Sequence, residues 1–204
     1  PAETPSKLTE ICMKLSKDGA LGCLISGGFT AEAHLPVKEF LPALRDIKQK
    51  TKLLVNIHTG LVSEDILKKL VSVGVDAVSI DIVGSDQTIQ SIYGINRSSS
   101  DYANTLKLLR AAGVKNVAPH ICIGLHHGKL KGEGEALKII RDNAPEIITF
   151  IAFNPTKGTS MQDVRPPPPR TIAKVIAVAR LALPRTRISL GCMRPAGAVR
   201  SEID

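Results

Sequence analysis

Six short apolar runs, each followed by a segment with helical spacing of its apolar residues, recur along the 204 residues. They are Gly22–Gly28 (GCLISGG), Leu53–Thr59 (LLVNIHT), Ala77–Val83 (AVSIDIV), Val117–Leu125 (VAPHICIGL), Ile147–Phe153 and Arg187–Met193. Runs this short suit strands buried on both faces, and the segments between them are too long and too periodic for hairpin loops. A helix over Pro5–Lys17 places Leu8, Ile11, Cys12 and Leu15 on one side, with Ser6 as its cap. Further helices are expected over Val37–Lys50, from Ser63 to Val73 with Gly74 closing it, near Asp86–Tyr93, from Asp101 to Ala112, over Glu135–Asn143 and over Thr171–Leu183. Strands alternating with helices pair in parallel through right-handed crossovers. The expectation is an α/β fold in one domain over residues 1–204: a partial TIM-type (β/α) barrel with parallel strands and six βα units.

Polar residues inside apolar strands locate a candidate site. Asn56 and His58 share one parity of their strand, Ser79 and Asp81 one of theirs, and His120 and Cys122 one of theirs. If those parities face the barrel interior, polar side chains cluster near the carboxyl ends, where such folds bind ligands. The first run ends in Gly27-Gly28, a pair without Cβ atoms where a ligand can approach the backbone closely.

Composition narrows the classes. The net charge is +8, yet Lys and Arg are scattered and only 3% of residues are aromatic, with no Trp. Base-stacking platforms are therefore poorly supplied, and the charge reads as a solvated surface, with no nucleic acid as partner. No run is long and apolar enough for a membrane span. Cys12, Cys23, Cys122 and Cys192 are widely spaced and form no CxxC pair, which argues against a disulfide framework and a structural zinc, and for a reducing, cytoplasmic compartment. The chain opens at Pro1 without an initiator Met, as a fragment or processed product would.

His58, His120, His126 and His127, with Asp81, invite a barrel-hydrolase metal, although no HxH or HExxH spacing occurs and His126-His127 falls in a glycine-rich, flexible-looking loop. Schiff-base chemistry lacks a strand Lys. A phosphate cradle at Gly124–Gly134, near Lys129 and Lys131, matches no established spacing.

Taken in order, Gly22–Gly28, Asn56–Gly60 (NIHTG), Ala77–Gly84 (AVSIDIVG), Ile92–Leu109 (IYGINRSSSDYANTLKLL), Val117–Leu125, Pro155–Thr159 (PTKGT) and Ser189–Pro195 (SLGCMRP) carry a resemblance to the radical SAM superfamily, in its biotin synthase-like branch. The resemblance implies that Ser26, Gly27 and Gly28 hold the methionyl amino group of S-adenosylmethionine. It implies that Asp81, with Ser79, bonds the ribose hydroxyls, and that Ile123, Gly124 and Leu125 lie against adenine. Phe29 stands where the family usually has an acid, which leaves that contact to backbone groups. Asn56, His58, His120 and Cys122 then become the substrate pocket. The family's CxxxCxxC loop, which holds a [4Fe–4S] cluster, is absent, so no metal ligand is expected in this chain, and cluster and radical generation are not expected of these residues alone. Of the residues that hold biotin synthase's second cluster, Cys23 and Arg187 match, while Asn56 and Ala118 stand where cysteines would, so sulfur insertion is not implied.

The implied activity is reductive cleavage of S-adenosylmethionine to a 5′-deoxyadenosyl radical that abstracts hydrogen from a small-molecule substrate, with an electron donor as partner. Two alternatives stay open: a cluster-less, non-catalytic barrel that binds S-adenosylmethionine or a partner, and a metal-dependent barrel hydrolase.

Overall fold

A computed structural model describes residues 2–203, apart from the side chains at 198 and 199. Six described strands lie in the sheet order β1-β2-β3-β4-β5-β6, and the sheet is not closed. They are β1 (Gly22–Ile25), β2 (Leu54–His58), β3 (Ala77–Asp81), β4 (Asn116–Ile123), β5 (Ile147–Ala152) and β6 (Arg187–Leu190). The pairs β1–β2, β2–β3, β4–β5 and β5–β6 are all parallel, as the absence of hairpin signals requires. The helices between them are α1 (Pro5–Lys17), α2 (Leu41–Lys50), α3 (Glu64–Ser72), α4 (Asp86–Thr88), α5 (Ser99–Ala111), α6 (Glu133–Asp142), α7 (Pro169–Ala182) and α8 (Ala198–Ile203). No helix among the described residues is long and apolar enough to cross a membrane. The chain forms two compact units, Pro1–Ile80 with Asn104–Val117, and Asp81–Ala103 with Ala118–Asp204.

In the first unit, α1 is capped by Thr4, whose hydroxyl accepts from the Lys7 N–H at 3.2 Å, and not by Ser6. Pro5 explains the shift: its missing N–H and fixed φ suit the first helical position, which puts the cap one residue before it. Val55 and Ile57 of β2 are fully buried and pack with Leu8, Cys12, Leu44, Ile47 and Leu70 from the helices. By alternation Asn56 and His58 take the opposite face of β2, where both are half-buried. The expectation that the first strand is buried on both faces fails, because Leu24 is 56% exposed. β1 is an end strand whose helix-free face is left open among the described residues, and Leu54 on β2 is similarly open.

Asp76 ties the amino-terminal ends of these strands together. Its carboxylate accepts from the Val55 N–H at 2.7 Å and from the Lys48 ammonium at 2.5 Å, while its carbonyl accepts from Asn116 Nδ2 at 2.8 Å. A charge-assisted junction of this kind fixes where β2 and β3 begin.

In the second unit, Ile121, Ile123, Ile148, Phe150 and Ala152 form the buried row of β4 and β5. Helix α4 runs directly into a π turn, Ile89–Tyr93, which Gly94 closes at φ +64°. Single π turns of this type recur at ligand sites. The loop after β4 is closely packed at three of its glycines, Gly124, Gly128 and Gly132. A Cβ on Gly128 would lie 2.0 Å from the Arg165 carbonyl oxygen, and one on Gly124 would lie 2.8 Å from Pro167. Glycine serves close packing here, between the proline-rich segment on one side and Gly84-Ser85 on the other.

Candidate functional site

At the end of β1, Ser26, Gly27 and Gly28 are exposed, and a Cβ built on Gly28 would meet nothing within 4 Å. The backbone there faces open space. A cavity of about 350 Å³ adjoins it, walled by Leu8, Ile25, Leu35, Val37, Phe40 and Leu44. Phe29 follows, 42% exposed, with its ring against His58 edge-on at 6.0 Å between centroids.

The turn after Phe29 is clamped onto the end of β2. The Leu35 N–H donates to the Thr59 carbonyl at 2.8 Å and the Leu61 N–H to the Ala33 carbonyl at 2.8 Å. Gly60 at φ +67° is required, since a Cβ would sit 2.4 Å from the Ala33 oxygen and 3.0 Å from the Phe29 ring. The segment that carries Ser26–Phe29 is therefore held at both ends, by β1 and by the close of β2.

On the helix-free face of the same unit, Asn56 Nδ2 donates to Ser79 Oγ at 2.9 Å, and that hydroxyl donates back to Asn56 Oδ1 at 3.1 Å. The strand register pairs His58 with Ser79 and Asn56 with Ala77, which sets the two side chains diagonally within reach. Ser79 is fully buried. It thus acts on its surroundings through Asn56, a role that parity alone did not reveal.

In the second unit, His120 Nδ1 lies 3.8 Å from the Asp81 carboxylate, both partly buried. A cavity of about 20 Å³, room for about one water, has Asp81, Thr88, Tyr93, Cys122 and Glu133 among its lining residues. Tyr93 keeps part of its ring in solvent, but its hydroxyl end is enclosed near Asp81, Tyr102 and Cys122. Burial, then the Asp81 charge, pushes its pKa well above the ordinary phenol value. Burial and the same carboxylate push the Cys122 thiol up and the Tyr102 phenol to about 12. Two neutral hydrogen donors, Tyr93 and Cys122, thus line the same small cavity as the Asp81 carboxylate.

Gly124 takes φ +78°, and its N–H donates to Glu133 Oε1 at 2.9 Å. The carboxylate of Glu133, 9% exposed at the start of α6, fixes the backbone of Ile123–Leu125. Sequence reasoning missed Tyr93 and Glu133: one sits in a π turn and the other beyond a loop, so neither has a strand parity to expose it. His126 and His127 do not join the group around Asp81. His126 Nδ1 pairs with Thr88 Oγ1 at 3.1 Å and packs on His127, and its pKa is lowered by burial, then by Lys131 and His127.

The cysteines do not fit a [4Fe–4S] cluster: among the described residues no three of them come together, and Cys12 pairs only with Cys23.

Residues 1–141 match the family model described as "Radical SAM superfamily". The chain is 26% identical over 194 residues to biotin synthase of Clostridium acetobutylicum, covering 90% of this chain and 56% of that protein. It is 29% identical over 140 residues to biotin synthase of Chlamydia pneumoniae, covering 66% and 40%. It thus spans about half the length of the curated relatives it matches. Among solved structures, methylornithine synthase (PylB) superposes with a TM-score of 0.71 at 20% identity, over 90% of this chain and 54% of that one. The [FeFe]-hydrogenase maturase HydG gives 0.68 at 17% identity, over 91% and 44%. Likeness at these identities establishes the fold, a TIM-barrel-like body with an open sheet. With more than half of its length matched by one family model, the chain belongs to the radical SAM superfamily.

Proposed function

We propose that this chain is the S-adenosylmethionine-binding body of a biotin synthase-like radical SAM enzyme that acts on a small polar substrate. One observation carries the proposal: Ser26–Gly28, Asp81 and Ile123–Leu125 all fall inside the stretch matched by the family model. Reductive cleavage of S-adenosylmethionine to a radical that abstracts hydrogen from the substrate is the chemistry that the cofactor and an electron donor supply in such enzymes.

This chain's residues bind and orient. Main-chain groups of Ser26, Gly27 and Gly28 take the methionyl amino group. Asp81 accepts from the ribose hydroxyls, with Ser79 acting through Asn56. Ile123, Gly124 and Leu125 flank adenine, held in place by Glu133. Asn56, His58, His120 and Cys122 offer polar contacts to a substrate, and Phe29 screens His58 from solvent.

Calorimetric titration of S-adenosylmethionine tests the reading. Asp81→Ala is expected to weaken binding about tenfold, the loss of one charge-assisted hydrogen-bond site. Equal affinity for the variant and the parent chain overturns the ribose assignment, and no binding to the parent overturns the proposal.

A further inference from the structure

Cys12 on α1 and Cys23 on β1 lie with their Sγ atoms 3.9 Å apart. Cys12 is 1% exposed and belongs to the apolar core of the first unit, while Cys23 is partly open and packs against that core. The remaining thiols, Cys122 and Cys192, lie in the second unit, Cys192 exposed. From this juxtaposition we propose that Cys12 and Cys23 form an oxidative modification site, an intramolecular disulfide that clasps α1 to the strand leading into Ser26–Gly28.

The geometry asks little of the fold. A disulfide requires an S–S distance of about 2.05 Å, so the sulfurs of Cys12 within α1 and Cys23 within β1 must close by roughly 2 Å from 3.9 Å. The bridge would close a loop running only from residue 12 to residue 23, both ends of which lie in the first compact unit.

The chemistry balances with a small-molecule disulfide as oxidant. Cys23, the more accessible thiol, loses its proton, and its thiolate attacks one sulfur of the oxidant. That S–S bond breaks, one thiolate leaves and takes up a proton, and a mixed disulfide remains on Cys23. Cys12 then loses its proton and attacks the Cys23 sulfur, and the second oxidant thiolate leaves and is protonated. The protein dithiol is oxidised by two electrons, and the oxidant is reduced to two thiols.

Burial governs the rate. It raises both thiols, Cys12 to about 12, while the Lys48 ammonium partly offsets the rise at Cys23. The site is therefore slow at neutral pH and gains about tenfold in rate per pH unit toward pH 9, in proportion to the thiolate fraction.

Oxidation of the 204-residue chain carrying Cys192→Ser with glutathione disulfide at pH 9, followed by non-reducing tryptic mass mapping, tests the proposal. The expected product joins peptides Leu8–Lys14 and Asp18–Lys38, two hydrogens lighter than their sum, with no glutathione retained. In Cys12→Ser on the same background, Cys23 is expected to keep a stable glutathione adduct. A glutathione adduct on Cys23 in the presence of Cys12, or both cysteines recovered as free thiols at equilibrium, overturns the proposal. A melting temperature no higher for the cross-linked chain than for the reduced one would overturn the clasp while leaving the cross-link.

Discussion

Asn56 and Ser79 hold each other across neighbouring parallel strands, amide to hydroxyl at 2.9 Å and hydroxyl to amide carbonyl at 3.1 Å. Ser79 is wholly buried, so Asn56 is its means of influencing anything at the surface of that face. Replacing Ser79 with Ala leaves a partly buried amide without this partner. The expected cost is about 1–2 kcal/mol in urea unfolding, together with weaker binding of S-adenosylmethionine. A variant as stable as its parent would show that the pair contributes nothing to the fold.

Asp76 has three partners at the start of the strands: Val55, Lys48 and Asn116. Two of these bonds end on its carboxylate, and both it and Lys48 are largely shielded. Asp76→Ala is expected to destabilise the chain by about 2–3 kcal/mol, since a backbone N–H and an ammonium lose a charged acceptor. Asp76→Asn, which keeps an acceptor for Val55, should recover part of that loss in the same denaturant titration. Asp76→Asn as stable as the parent chain would show that the charge of Asp76 has no part in the junction.

Two glycines are expected to respond in opposite ways. Gly60 sits at φ +67°, where a Cβ would lie 2.4 Å from a carbonyl oxygen, so Gly60→Ala should cost about 2–3 kcal/mol. Gly28 has open space around it, so Gly28→Ala should change stability by less than about 0.5 kcal/mol. The same methyl group stands where the cofactor's amino group is proposed to approach, and affinity should fall by about tenfold. Thermal melts and a binding titration on the two variants separate the effects.

Alkaline pH acts through the buried acids. Cys12 rises from 9.0 to about 12 on folding, with burial as the main cause and Cys23 next. The unfolded chain therefore gives up this proton first, and the stability it confers is complete below about pH 9 and lost as pH climbs from 9 to 12. Guanidinium midpoints should fall across that window, and less steeply for Cys12→Ala. An equal slope in the variant would place the alkaline loss elsewhere, with Cys122 and Tyr102 next in line.

The alternation of strands and helices was legible because each strand is a short apolar run, visible in Leu53–Thr59 or Ala77–Val83 without any tertiary knowledge. The caps at Ser63 and Gly74 were equally plain, since each carries a local mechanism. What escaped was relational. Leu24 reads as core because its run is apolar, yet an end strand leaves one face open. The glycines of Gly124–Gly134 read as flexibility, whereas Arg165 packs on Gly128 from 37 residues away and Pro167 on Gly124 from 43, each using the missing Cβ for close packing. Tyr93 entered the group around Asp81 by way of a π turn, which has no periodic signature of its own.

The most direct test is amide-resolved NMR of the chain during titration with S-adenosylmethionine. Ser26–Gly28, Asp81 and Ile123–Leu125 are expected to shift together along one saturation curve. Shifts confined to one of these segments, or three curves with different midpoints, would contradict that expectation.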